Sequence, residues 1–176
     1  MRNLILAVAT IAFMAPLNMK AQTTKDDKLM ADCADAKAEF VAKDKLMQSL
    51  FDKSYGYVVF PNVGKGAIGV GGAAGNGIVF QSGKAIGSAK MKQVTVGFQF
   101  GGQVYREVIF FENEDALNRF KQGNFELAGQ VSAVAVKEGV SANVRYRNGV
   151  MVFTQRKGGL MYEASVGGQK FGYEPF

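Results

Sequence analysis

Apolar residues recur at Leu29, Cys33, Ala36, Phe40, Met47 and Leu50 through a segment, Asp26 to Lys53, that contains no glycine. This spacing returns to one side of a helix every turn, so the pattern predicts a single long amphipathic helix. Thr24, with Asp27 three residues later, supplies a hydroxyl and a carboxylate for the free N–H groups of its first turn. The polar side mixes Asp32, Asp35, Glu39 and Asp44 with lysines. Such a face suits a helix packed on its own domain better than one lying flat on a membrane.

After Tyr55 the pattern changes, and all 22 glycines of the chain lie from Gly56 onward. Short β-rich runs follow at 57–63, 67–73, 77–81, 85–90 and 94–105, with REVIFFE at 106–112 continuing as a buried strand. Runs this close leave no room for helical crossovers, which predicts mainly antiparallel pairing. Asn113 is placed to open a short helix near 113–122, with Glu114 and Asp115 in its first turn and Leu117 and Phe120 facing inward. Further strand-like runs lie at 125–136, 150–155 and 160–171. The expected fold is α+β, a twisted, mainly antiparallel sheet or partial barrel covered by the N-terminal helix. GGQVY at 101–105 and GGQKF at 167–171 echo each other and mark equivalent strands, but two echoes do not make a repeat protein.

The first residues read differently again. Arg2 precedes an apolar run from Leu4 to Ala15, then Pro16 and a small-residue cleavage point after Ala21, the order of a secretory signal peptide. The run is too short for a membrane span, which takes about 20 apolar residues. The expected organisation is a signal peptide at 1–21, an amphipathic helix at 22–54 and a glycine-rich β unit at 55–176, folded as one domain. Export places the protein in the periplasm or outside the cell, with the outer membrane as a surface for peripheral contact. Of 21 basic and 15 acidic residues, the leader holds two basic ones, Arg2 and Lys20, so the remainder carries a net charge of +4. Cys33 is the only cysteine. It excludes an internal disulfide, lies too far beyond the apolar run for lipidation, and reads as a small packing residue.

Catalytic and cofactor chemistry finds little to work with. Gly69, Gly71 and Ala74 match a loose dinucleotide fingerprint, yet Gly75-Asn76-Gly77 and a strand follow where a helix is required, so the stretch reads as a hairpin turn. SGKA around Lys84 lacks the spacing and the hydroxyl residue of a phosphate loop. Histidine is absent altogether, which removes the commonest general base and zinc ligand. Glu112, Glu114 and Asp115 are explained by a helix start. Glu163 is isolated, and an ion pair with Arg156 or Lys157 accounts for it better than an acid catalyst does. The chain is expected to be no enzyme, to hold no metal or cofactor, and to bind no nucleic acid.

What stands out is charge. Between Lys53 and Arg106 there is no acidic residue, while Lys65, Lys84, Lys90, Lys92 and Arg106 are present. A second basic group comprises Arg145, Arg147, Arg156 and Lys157. Ordinary solvated lysines would give the same composition; an anionic surface would make use of it.

GYVVFPNVGKGAIGVGGAAGNGIVF at 56–80 resembles the opening motif of the SYLF domain. The likeness continues through VGFQFGGQVYREVIFFENEDALNRF at 96–120, FELAGQVSAVAV at 125–136 and FTQRKGGLMYEASVGGQKFGY at 153–173. The resemblance implies phospholipid binding, phosphoinositides in eukaryotic members, actin binding in some of those, and no established catalysis. An exported protein would meet anionic envelope phospholipid rather than actin. The expected function is therefore non-catalytic attachment to anionic phospholipid through a basic, glycine-rich face. Lys65, Lys84, Lys90 and Lys92 would meet headgroup phosphate, with Arg156 and Lys157 as a second patch. A structural envelope module that binds a protein partner is the alternative.

Overall fold

The computed structural model describes residues 18–68, 70–96, 103–123, 133–157 and 168–176. Most of the expected signal sequence, Glu163, and the greater parts of the predicted runs 125–136 and 160–171 lie outside the described residues. Helix α1 spans Asn18–Lys43 and α2 spans Met47–Lys53. The predicted single helix is therefore two, and Thr24 lies inside α1 rather than capping it. The break falls at Asp44, whose side chain takes the backbone N–H of Leu46 at 3.1 Å instead of leaving it to the helix. The apolar stripe does what its spacing requires: Cys33, Ala36, Phe40 and Met47 are buried, and Phe51 joins them.

Seven strands follow: β1 Gly56–Ile68, β2 Val70–Gln81, β3 Lys84–Val96, β4 Gln103–Phe111, β5 Val134–Ala135, β6 Val150–Arg156 and β7 Gln169–Pro175. Helix α3, Glu114–Lys121, lies between β4 and β5, capped by Asn113 Oδ1 accepting from the Ala116 N–H at 3.0 Å. The echoed GGQ motifs each lead into a strand, β4 and β7. Sheet order is β5-β6-β4-β1-β2-β3-β7, antiparallel except for the short β5–β6 pair. The α+β expectation holds, and so does the partial barrel. Three strands separate β4 from β7, yet Gln169 of β7 donates to Glu107 of β4 at 3.0 Å, which requires the open sheet to curl.

Alternation sorts the core into two layers. Tyr57, Val59, Ile78, Val108, Phe110 and Phe153 face α1 and α2 on the outer side. Val58, Phe60, Val79, Ile109, Phe111 and Val152 face the concave side, where α3 places Leu117 and Phe120. Pro61 sits in the middle of β1, a central strand. It is tolerated because β1 bulges there by one residue against both neighbours. The bulge also reverses the alternation, so that Val63 joins Phe60 on the concave side while Asn62 turns outward.

Glycine misled the reading of strand length. The predicted turn at Gly75-Asn76-Gly77 lies inside β2, paired with both β1 and β3. The run 67–73 instead straddles the β1–β2 connection, with Ile68 opposite Val70. The β2–β3 turn is Ser82-Gly83, at φ 49° and 76°, the positive pair that a two-residue hairpin turn needs. Gly77 serves close packing. A Cβ there would lie 2.4 Å from the Val59 carbonyl oxygen and 2.8 Å from the Phe60 ring. Gly77→Ala is expected to cost about 2 kcal/mol by forcing β1 and β2 apart. Gly64→Ala, which meets nothing within 4 Å, should be near neutral. Thermal melts of both variants test this, and equal midpoints would show that close approach is not the role of Gly77.

Candidate anion-binding face

Ile78 of β2 points toward α1, so the even-numbered positions before it, Asn76, Ala74 and Gly72, share that outer side. Residues directly opposite in antiparallel strands share a side too, and the register then lays out rows across the sheet. The first row is Asn62, Asn76, Lys90 and Gly172. The second is Val104, Gly64, Ala74, Lys92 and Lys170. Gly72 and Val94 stand opposite each other in the third. The result is a floor of small residues with lysines toward the β7 side and exposed valines at either hand: Val94 is 72% exposed and Val104 43%. Just past the end of β6, the Lys157 amide donates to the Val104 carbonyl, and its ammonium donates to Asn62 Oδ1.

Of the six residues expected at the site, Lys90 and Lys92 stand together on β3, while Lys157 reaches the same side from beyond the end of β6, four strand spacings away, where it bonds Asn62. Lys84 does not join them. It opens β3 beside the Ser82-Gly83 turn, opposite Gln81 and six residues before Lys90, ~20 Å away along the strand. Arg156 stands opposite Tyr105, a concave-side residue, so it belongs to the other side of the sheet from its neighbour Lys157. Lys65 has its backbone in β1 opposite Ala73 and Gln103, and its side chain lies outside the described residues. Sequence reading missed Lys170, which only its pairing opposite Lys92 brings to the face. Lys90 also meets Glu174 at 3.7 Å, an exposed pair that holds it only weakly.

Helix α1 lies across the near end of this face, and a cleft of about 280 Å³ remains beneath it. Lys25, Lys28 and Asp32 of α1 line one side, and Pro61, Asn62 and Asn76 line the other. Sequence reading missed these helix lysines as well, because α1 read as a packing element.

The concave side carries a different polar group. Glu107, Thr154 and Gln169 are fully buried there, with Thr154 directly opposite Glu107. Burial pushes the Glu107 carboxyl up to about 7, against the hydrogen bond from Gln169 that pulls it down. Burial likewise raises the Tyr105 phenol. Cys33 is the packing residue expected: its thiol donates to the Val59 carbonyl at 3.4 Å and burial pushes it up to about 12. Among the described residues, no three His, Cys, Asp or Glu side chains gather where they could hold a metal ion. No described helix is long and apolar enough to cross a membrane.

Residues 92–173 match the protein-family model Ysc84, described as Las17-binding protein actin regulator. The stretch includes Lys92, Glu107, Lys157 and Lys170. The chain is also similar to Beta cell expansion factor A of Aeromonas veronii, 30% identical over 124 residues. That alignment covers 69% of this chain and 47% of the relative, so the chain spans about half the length of the curated protein it matches.

Proposed function

The chain carries a Ysc84-type SYLF domain, and on that premise we propose that it is a non-catalytic binding protein which attaches to anionic phospholipid through the outer face of its sheet. The observation that carries this reading is the row structure: Lys90, Lys92 and Lys170 stand on adjoining strands, with Asn62 and Lys157 on the far side of a floor of glycine and alanine. Headgroup phosphates would meet the lysines, and Val94 and Val104 would touch the apolar boundary below them. Each lysine near an anionic surface contributes about 1 kcal/mol. Attachment of this kind is reversible and screened by salt. Export by residues 1–21 would bring the face to an envelope membrane.

Co-sedimentation with vesicles tests the reading. The purified protein should pellet with anionic phospholipid vesicles at low salt, release as salt rises, and stay in solution with neutral ones. A second reading takes its support from the family description, which names a protein, Las17, as what is bound. On that reading the same face docks on a protein partner, and the protein ignores vesicles of either charge.

A further inference from the structure

We propose that the cleft between α1 and the β1 bulge is a seat for one small phosphoester whose alcohol part carries a hydroxyl or ammonium group. This deepens the membrane reading and rests on it for the source of the ligand. Lys25 and Lys28 stand three apart on α1, hence on one side of the helix, and both line the cleft. Across from them Asn62 and Asn76 occupy directly opposite places on β1 and β2. The Asn62 carbonyl oxygen is already taken by the Lys157 ammonium, so the group it has left to offer is its amide N–H₂. Two ammonium groups and amide donors facing one another make a donor-rich site, the complement of phosphate oxygens.

The remaining charged residue sets the class of ligand. Asp32 lines the same cleft and accepts hydrogen bonds but cannot give them. Bare phosphate would leave it without a partner and be repelled by it. A phosphoester bearing a hydroxyl or an ammonium group satisfies both ends, with phosphate on the lysines and Asn62, and the alcohol or amine on Asp32. The cleft's 280 Å³ stands at the lower limit of small-molecule sites, about 300–1,000 Å³. That suits a headgroup and leaves no room for acyl chains, which would remain outside.

The test titrates the isotope-labelled full chain with sn-glycerol 3-phosphate and, separately, with inorganic phosphate, following the side-chain amide signals of Asn62 and Asn76 by NMR. Saturable shifts confined to these residues and α1 are expected, with the glycerol ester binding about tenfold more tightly than phosphate, the worth of one hydrogen bond to a charged group. Asp32→Asn should erase that preference, and Lys28→Ala with Asn62→Ala should abolish the shifts while leaving the rest of the spectrum in place. Shifts produced by the soluble ester assign a free phosphoester; shifts produced only by phosphatidylglycerol vesicles assign a membrane headgroup. Unsaturable shifts spread over all exposed lysines, or none with either source, overturn the cleft assignment. Vesicle binding measured on the same samples keeps the two proposals apart. If the protein pellets with anionic vesicles while the cleft stays silent, only the seat is wrong; if neither responds, the membrane reading falls too.

Discussion

Glu107→Gln should leave the protein's stability almost unchanged near pH 4.5 and raise it by about 3 kcal/mol at pH 8. Glu107 is fully buried, and burial lifts its carboxyl from the ordinary 4.5 to about 7. The folded state thus holds its proton more tightly than the unfolded chain. The stability linked to that proton is fully present below 4.5 and is lost as pH rises to about 7, at about 1.4 kcal/mol per pH unit. Gln169 of β7 donates to Oε2 from across the curl, whereas Oε1, Thr154 Oγ1 and Gln169 Oε1 find no partner among the described residues. A protonated Glu107 adds a donor to a group otherwise rich in acceptors; an ionised one adds a buried charge. The groups facing it are Tyr105 on its own strand and, on β6, Thr154 opposite and Arg156 in register with Tyr105. Denaturant unfolding of both proteins at pH 4.5, 6 and 8 isolates the contribution, because every other carboxylate cancels in the difference. Parallel pH curves would show that Glu107 is not held neutral.

Asp44→Ala should cost about 3 kcal/mol and loosen the α1–α2 corner. Asp44 is only 2% exposed, yet its burial, which acts to raise its carboxyl, is outweighed by backbone N–H donors from Ser141, Leu46 and Gly139, and the net shift is downward. Two of those bonds, to Ser141 at 3.0 Å and Leu46 at 3.1 Å, tie the helix break to the 3₁₀ turn Val140–Asn143. Hydrogen bonds to a charged acceptor each contribute about 1.5–3 kcal/mol, and removing the carboxylate strands the donors. Because the carboxyl is depressed, this stability is present above its ordinary 3.8 and disappears as pH falls through the folded value. Asp44→Asn, which keeps one acceptor, should recover part of the loss. Hydrogen exchange at the Ser141 and Leu46 amides reports the corner directly, and protection unchanged in Asp44→Ala would refute the clamp.

Local chemistry was legible in the sequence; relations across strands were not. The stripe of α1, the Asn113 cap and the inward Leu117 and Phe120 depend on neighbours within one or two turns, and each was read from spacing. Asn-Gly at 76–77 carries a stronger hairpin signal than Ser-Gly at 82–83, but register decided the matter: closing the hairpin at Ser82-Gly83 pairs β2 with β3 along their whole lengths. The helix break escaped periodicity because Asp44 finds Ser141 97 residues away. Glu107 could have been found: in QVYREVIFF it alternates with Tyr105, Ile109 and Phe111, which places a carboxylate on a core side. The basic face was half visible, since an acid-free segment marks Lys90 and Lys92. Only the register shows that Lys84 stands apart and that Lys170 takes its place.

That face is the claim on which the functional account turns, and charge reversal measures it directly. Lys90→Glu, Lys92→Glu and Lys170→Glu combined should abolish co-sedimentation with anionic vesicles at low salt, while Lys84→Glu, at the far turn, should bind as the unaltered protein does. Equal binding by both variants, or equal loss in both, would contradict a localised basic face and leave only diffuse attraction between a cationic protein and an anionic surface.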